Sequence, residues 1–188
     1  MAFYKYLKSH AERQPDSAAI IEGDCTVSYG ELCEQIESFA EALSELPLNT
    51  NSKVGLLCLN QKEHLIAMFG CLLKGVPFIP YNFLLKPEDL AFITQDAGID
   101  TLVVDSAFVK PEIRPFFKFF TNKILVGPAN LDQVGEGTLR FEDFLKSGQK
   151  DNAFIKHERE SGIPDVILYT SGTTAKPKGV MLNEDQFD

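Results

Sequence analysis

Strand-length apolar runs alternate with helix-length segments through most of this chain, and that alternation constrains the fold more than any other feature. The runs lie at residues 53–59, 76–81, 101–104, 123–126 and 166–169 and are rich in Val, Ile, Leu and Phe. The segments between them carry helical apolar spacing or helix start and stop signals. Strands alternating with helices at intervals of about 20–30 residues predict a mainly parallel sheet with helices on both faces. The class is α/β.

The intervening segments read as follows. Residues 3–13 form a short amphipathic helix, with Phe3, Leu7 and Ala11 on one side. Residues 17–21 and 25–28 flank Glu22-Gly23-Asp24 as a hairpin. Ser28 and Glu31 stand in capping-box spacing before Leu32, Ile36, Phe39, Leu43 and Leu46 recur at helical intervals, and Pro47 stops that run. Residues 64–73 are apolar almost all round, which predicts a helix buried between layers and ended by Gly75. His64 is expected to be a packed or helix-terminal residue rather than a ligand, since no second histidine lies near it in sequence. Pro87 suits a helix start, with Glu88 and Asp89 in the first turn and Gly98 past the end.

Residues 109–120 are expected to be another helix. The Pro115-Phe-Phe-Lys-Phe-Phe120 cluster would then face the core rather than a membrane or an acyl chain. Residues 127–138 read as a Gly/Pro/Asn loop, 141–146 as a short helix, and 147–164 as a polar linker. The expected division is an α/β subdomain over 1–164, then a strand-loop-strand unit and the start of a helix over 165–188.

Composition excludes several classes. No window reaches the length of a transmembrane helix, and the N-terminus lacks the apolar core of a signal peptide. The four cysteines show no C-x-x-C spacing, so reduced thiols are expected rather than a zinc site or a disulfide. These features predict a cytoplasmic protein. A formal net charge of -9 argues against non-specific nucleic-acid binding.

The chemistry concentrates in residues 170–179. Four hydroxyls (Thr170, Ser171, Thr173, Thr174), Lys176 and Lys178, two glycines and Pro177 stand between two apolar runs, with no acidic residue. Hydroxyls and backbone N–H groups donate to phosphate oxygens, glycine permits close backbone approach, and lysine adds a mobile charge. The Walker-type loop does not fit, because Gly172 has no glycine five residues on and Val180 follows Gly179.

The order Tyr-Thr-Ser-Gly-Thr-Thr-x-Lys-Pro-Lys-Gly-Val resembles the phosphate loop of the adenylate-forming superfamily, which includes acyl-CoA synthetases, peptide-synthetase adenylation domains and beetle luciferases. Val27-Ser-Tyr-Gly-Glu-Leu32 and Leu72-Leu-Lys-Gly-Val-Pro-Phe-Ile-Pro-Tyr81 resemble two further signatures of that family. Ala175 stands where the family usually has glycine, and Glu184 stands near where many relatives carry a histidine.

The resemblance implies an ATP-dependent, carboxylate-activating ligase. Its carboxylic-acid substrate, with fatty acids among the favoured classes, would form an acyl-adenylate on Mg2+-ATP, and CoA or phosphopantetheine would then accept the acyl group. Thr170, Ser171, Gly172, Thr173, Thr174 and Lys178 are the implied phosphate contacts, and Pro177 and Gly179 shape the loop. No catalytic residue and no metal ligand is expected within this chain. The family's later segments have no counterpart here, and Asp188 falls in the first turn of a helix capped by Asn183. A piece of a longer enzyme, inert alone, is therefore expected. A non-catalytic nucleotide-binding or interaction module derived from the family is the alternative. Surface that the absent segments would cover predicts a homodimer of the chain.

Overall fold

The computed structural model describes residues 2–148, 163–170 and 176–183. A seven-stranded sheet dominates them, with strand order β7-β6-β5-β3-β4-β8-β9. Its strands are β3 (Val54–Leu57), β4 (Phe78–Pro80), β5 (Thr101–Asp105), β6 (Asn122–Val126), β7 (Thr138–Arg140), β8 (Val166–Thr170) and β9 (Lys178–Leu182). All neighbours run parallel except β8 and β9, which form an antiparallel hairpin at one edge. A separate two-stranded hairpin pairs β1 (Ala18–Glu22) with β2 (Cys25–Ser28).

Period-two alternation divides the strand residues between two cores. On one face, Val54, Leu56, Val103, Ile124 and Phe78 pack with Ile36, Phe39 and Leu43 of α2 (Tyr29–Glu45). Ile66 and Cys71 of α3 (Lys62–Lys74), and Phe141 and Phe144 of α5 (Phe141–Ser147), complete that layer. On the other face, Leu57, Leu102, Val104, Leu125 and Ile79 pack with Leu90 and Ile93 of α4 (Pro87–Ala97) and with Phe116, Phe117 and Phe120. The expected parallel α/β architecture with helices on both faces is thus present. Helix α1 (Ala2–Arg13) precedes the small hairpin.

Local signals act as the sequence implies. Ser28 Oγ accepts from the Glu31 N–H at 3.2 Å, and the Glu31 carboxylate accepts from the Ser28 N–H at 2.9 Å, closing the capping box of α2. Gly75 and Gly98 end α3 and α4 in left-handed conformations, at φ 79° and 66°, which side-chain-bearing residues avoid.

Three expectations need correction. Residues 109–120 are not an α-helix. They contain a 3-10 run, Pro111–Phe119, after a separate turn at Ser106–Phe108. Pro115 stands inside that run, where it offers no N–H and would clash in an α-helix. The Phe residues still face inward, apart from Phe119, which is 40% exposed.

The second correction is β7, where the end of the expected 127–138 loop joins the sheet edge. Lys123↔Thr138, Ile124↔Leu139 and Leu125↔Arg140 are its register pairs. Arg140 donates from its guanidinium to the carbonyls of Gly127 and Ala129, at 2.7 and 2.9 Å, and ties the intervening loop down.

The third concerns the strand-loop-strand unit. Thr170 belongs to β8, and Lys178 and Gly179 belong to β9, so three residues assigned to the loop are paired strand. The greater part of the 147–164 linker and the helix start after Asn183 lie outside the described residues.

Candidate phosphate-binding site

Parallel pairing of β8 with β4 fixes where the 170–179 segment leaves the sheet. Thr170 stands at the carboxyl end of β8, the edge at which β3, β4, β5 and β6 also end. In open α/β sheets, ligands bind outside the carboxyl ends of the strands.

Register then sorts the loop's base. Val166↔Leu182, Ile167↔Met181, Leu168↔Val180, Tyr169↔Gly179 and Thr170↔Lys178 are the directly opposed pairs. Opposed residues share a face, so Thr170 and Lys178 present a hydroxyl and an ammonium side by side. Both are exposed. Tyr169 and Gly179 occupy the opposite face, over α4. A Cβ on Gly179 would lie 3.0 Å from Tyr169 Cζ and 3.0 Å from Ile167 Cγ2. Glycine leaves room here beneath the tyrosine ring, and its φ is not unusual; a Cβ would press on both side chains.

Tyr169 reaches from there to α4, and its hydroxyl donates to Asp96 Oδ2 at 2.6 Å. Burial raises the Tyr169 hydroxyl above its ordinary value, and the Asp96 hydrogen bond adds to the rise, so the group stays a donor at neutral pH. Lys176 Nζ lies 5.1 Å from the centre of the Phe92 ring, also on α4. The two lysines therefore go different ways. Lys176 is held on an aromatic face, while Lys178 stands beside Thr170.

Of the expected phosphate contacts, the structure places Thr170 and Lys178 side by side, with Pro177 just before β9 and Gly179 within it. Ser171, Gly172, Thr173, Thr174 and Ala175 lie outside the described residues. Asp96 and Phe92 were not legible in the sequence as parts of this site. Asp96 is 73 residues from Tyr169, and no spacing rule links them.

A separate open cleft of about 380 Å³ lies between the β1–β2 hairpin and the start of α3, lined by Ile20, Ile21, Gln61, His64, Leu65 and Met68 among others. The His64 side chain, in the first turn of α3, is half-buried at the cleft wall; its Nδ1 is buried with no hydrogen-bond partner among the described residues, and burial lowers its pKa. Cys33, Cys58 and Cys71 are buried and Cys25 is exposed; none forms a disulfide. Burial pushes the Cys33 thiol up to about 11, so it is protonated at neutral pH. Among the described residues, no group of three or more His, Cys, Asp or Glu side chains could hold a metal ion. No helix among them is long and apolar enough to cross a membrane.

Comparison with known proteins agrees with this fold. The medium/long-chain-fatty-acid–CoA/3-oxocholest-4-en-26-oate–CoA ligase of Mycobacterium marinum is 31% identical over 183 residues, which cover 93% of this chain and 33% of the ligase. The chain thus spans about a third of that relative's length. The crystal structure of the anthranilate CoA ligase AuaEII with anthranoyl-AMP shares the fold, at a TM-score of 0.76 and 24% identity over 93% of this chain and 33% of that one. The o-succinylbenzoate CoA synthetase MenE of Bacillus subtilis, in complex with ATP and magnesium, superposes at a TM-score of 0.65. It is 25% identical, over 95% of this chain and 43% of that one. The model of the AMP-binding enzyme family matches residues 7–187, and with the strand-loop-strand unit at the carboxyl edge of a parallel sheet, this chain belongs to that family.

Proposed function

We propose that this chain is the phosphate-gripping part of an ATP-dependent ligase that activates carboxylic acids as acyl-adenylates. The observation that carries the proposal is the Thr170–Lys178 pair, exposed and fixed in register at the carboxyl edge of the sheet. In the reaction, a carboxylate oxygen attacks the α-phosphorus of ATP. The bond from that phosphorus to the bridging oxygen breaks, and pyrophosphate leaves with the electron pair.

Negative charge builds on the leaving group, and preorganised donors lower the barrier most when aimed there. Thr170, Ser171, Thr173 and Thr174 would donate hydroxyl hydrogen bonds to the β- and γ-phosphates. Gly172 would admit backbone N–H groups, Lys178 would supply a positive charge, and Pro177 would stiffen the loop. Lys176 is held on Phe92 and is left out of the contact set. Mg2+ bound with the nucleotide would neutralise further phosphate charge. The sulfur of CoA or of a carrier-protein phosphopantetheine would then attack the acyl carbon; the bond from that carbon to the phosphate oxygen breaks, AMP leaves with the electron pair, and the thiol proton is released. Such chemistry draws on the cytoplasmic pools of ATP and CoA, and the cytoplasm is the compartment proposed.

The 188-residue chain alone supplies part of the binding that the transition state requires. It should bind MgATP weakly and catalyse no carboxylate-dependent ATP–pyrophosphate exchange across an acyl panel. Lys178→Ala should weaken MgATP binding in calorimetric titration by roughly 10–100-fold, the range for losing a charged hydrogen bond. Unchanged binding in that variant would overturn the assignment of Lys178. Exchange above a no-protein control would overturn the inactivity.

A further inference from the structure

The β8–β9 hairpin meets the rest of the sheet through a very short seam. One Cα pair, Phe78↔Val166, joins β8 to β4, and the Phe78 N–H donates to the Asp165 carbonyl at 3.2 Å. Thr170 lies four residues beyond that pair, about 13 Å along an extended strand. Strand pairing alone would leave the loop end of the hairpin free to pivot about the seam.

Helix α4 holds that far end. Tyr169 crosses over Gly179 to donate to Asp96 at 2.6 Å, and Lys176 rests on Phe92 one helical turn earlier. The neighbouring strand repeats the arrangement. Tyr81, just past the end of β4, passes over Gly55 of β3, where a Cβ would lie 2.5 Å from Tyr81 Cε2. Thr94 spends its own proton on the Leu90 carbonyl at 2.7 Å, so Tyr81 donates to Thr94 Oγ1 at 2.6 Å. Two tyrosines, each laid over a glycine of an adjacent strand, thus end on polar side chains two residues apart on α4. The Tyr81–Thr94 pair lies in the core and fixes the helix to the sheet. The Tyr169–Asp96 pair then fastens the hairpin to a helix that is already held.

We propose that Tyr169 and Asp96 are positioning residues that hold the loop end of the β8–β9 hairpin against α4, so that the phosphate loop leaves the sheet at one defined place. The proposal rests on the phosphate-binding reading of the loop. Tyr169→Phe keeps the ring over Gly179 and removes only the hydroxyl. Asp96→Ala removes the acceptor, and Asp96→Asn restores a neutral one.

The test is backbone amide exchange by mass spectrometry on the 188-residue chain, together with calorimetric titration with MgATP. In Y169F and D96A, exchange across residues 178–182 should rise roughly tenfold while β5 and β6 are unchanged, and MgATP should bind roughly tenfold more weakly. D96N should recover much of both losses, because its amide oxygen can still accept from the Tyr169 hydroxyl; Y169F, which keeps the ring, is the variant that separates the hydrogen bond from packing. Unchanged exchange in Y169F overturns the tether. Faster exchange with intact MgATP affinity reduces it to a fastening without a positioning role and overturns the proposal. If the unmodified chain binds no MgATP, the phosphate reading fails, and the exchange data still decide the tether.

Discussion

His64 shows how one residue couples packing to pH. Its Nδ1 is buried without a hydrogen-bond partner, and burial lowers its pKa from the ordinary value of 6.5. The unfolded chain therefore binds a proton more readily than the folded one at this site, and stability falls as pH drops through the unfolded value and towards the folded one. Glu63 beside it is shifted upward by burial, which acts in the opposite sense: its contribution is present below its ordinary value and lost as pH rises. Comparing His64→Gln with the unmodified chain cancels Glu63. The loss of stability between about pH 7 and 5, followed by urea unfolding, should be shallower in H64Q. Equal slopes in the two proteins would show that His64 is as free to take up a proton in the folded state as in the unfolded one.

At the scale of elements, α2 begins where its capping box closes, and Ser28→Ala should lower the thermal midpoint by about 2–4 °C for a chain of this size. Glu31 contributes to the box as a carboxylate. Its pKa is lowered, first by the hydrogen bond from the Ser28 N–H, so its part of the cap is lost as pH falls below the usual glutamate range. Differential scanning calorimetry checks the shift, and no change in S28A would mean the helix is held by packing alone. Such elements were legible because each carries its own signal. The central strands read as unbroken apolar runs since both of their faces are buried. Helix α4 was bracketed by Pro87 and Gly98. The errors arose where tertiary pairing sets the structure. Strand β7 is three residues long and has no pattern of its own. The β9 strand extends to Lys178 because Thr170 lies opposite, although neither lysine nor glycine favours strands. For the candidate site, residue order picked out Thr170 and Lys178, but their support from Asp96 comes from a helix distant in sequence and carries no local signature.

For the whole molecule, the edge hairpin is one of the places where apolar side chains reach the surface. Leu168 is 38%, Val180 45% and Met181 68% exposed, and among the described residues β9 pairs with β8 alone. An edge strand with apolar side chains is a site for association, and salt screens the opposing net charge beyond roughly 8–10 Å. Light scattering over a dilution series should reveal a dimer at high concentration, and a monomeric mass throughout would show that this edge is well tolerated in water. The same hairpin bears on how the chain is made. Strands β3 to β7 are complete by Arg140, and after residue 148 the described chain adds Val166 and Ile167 to the buried cores, with Tyr169 and Leu182 partly buried against them. A protein ending at residue 148 should therefore keep a cooperative thermal transition, and a broad, non-cooperative melt would show that the sheet waits for its last two strands. Domains form as units while synthesis proceeds from the N-terminus. Strand β8 adds beside β4 and does not insert between strands already paired. As the chain emerges from the ribosome, strands β3 to β7 can pair before the β8–β9 hairpin exists, and that hairpin then docks on a scaffold already formed.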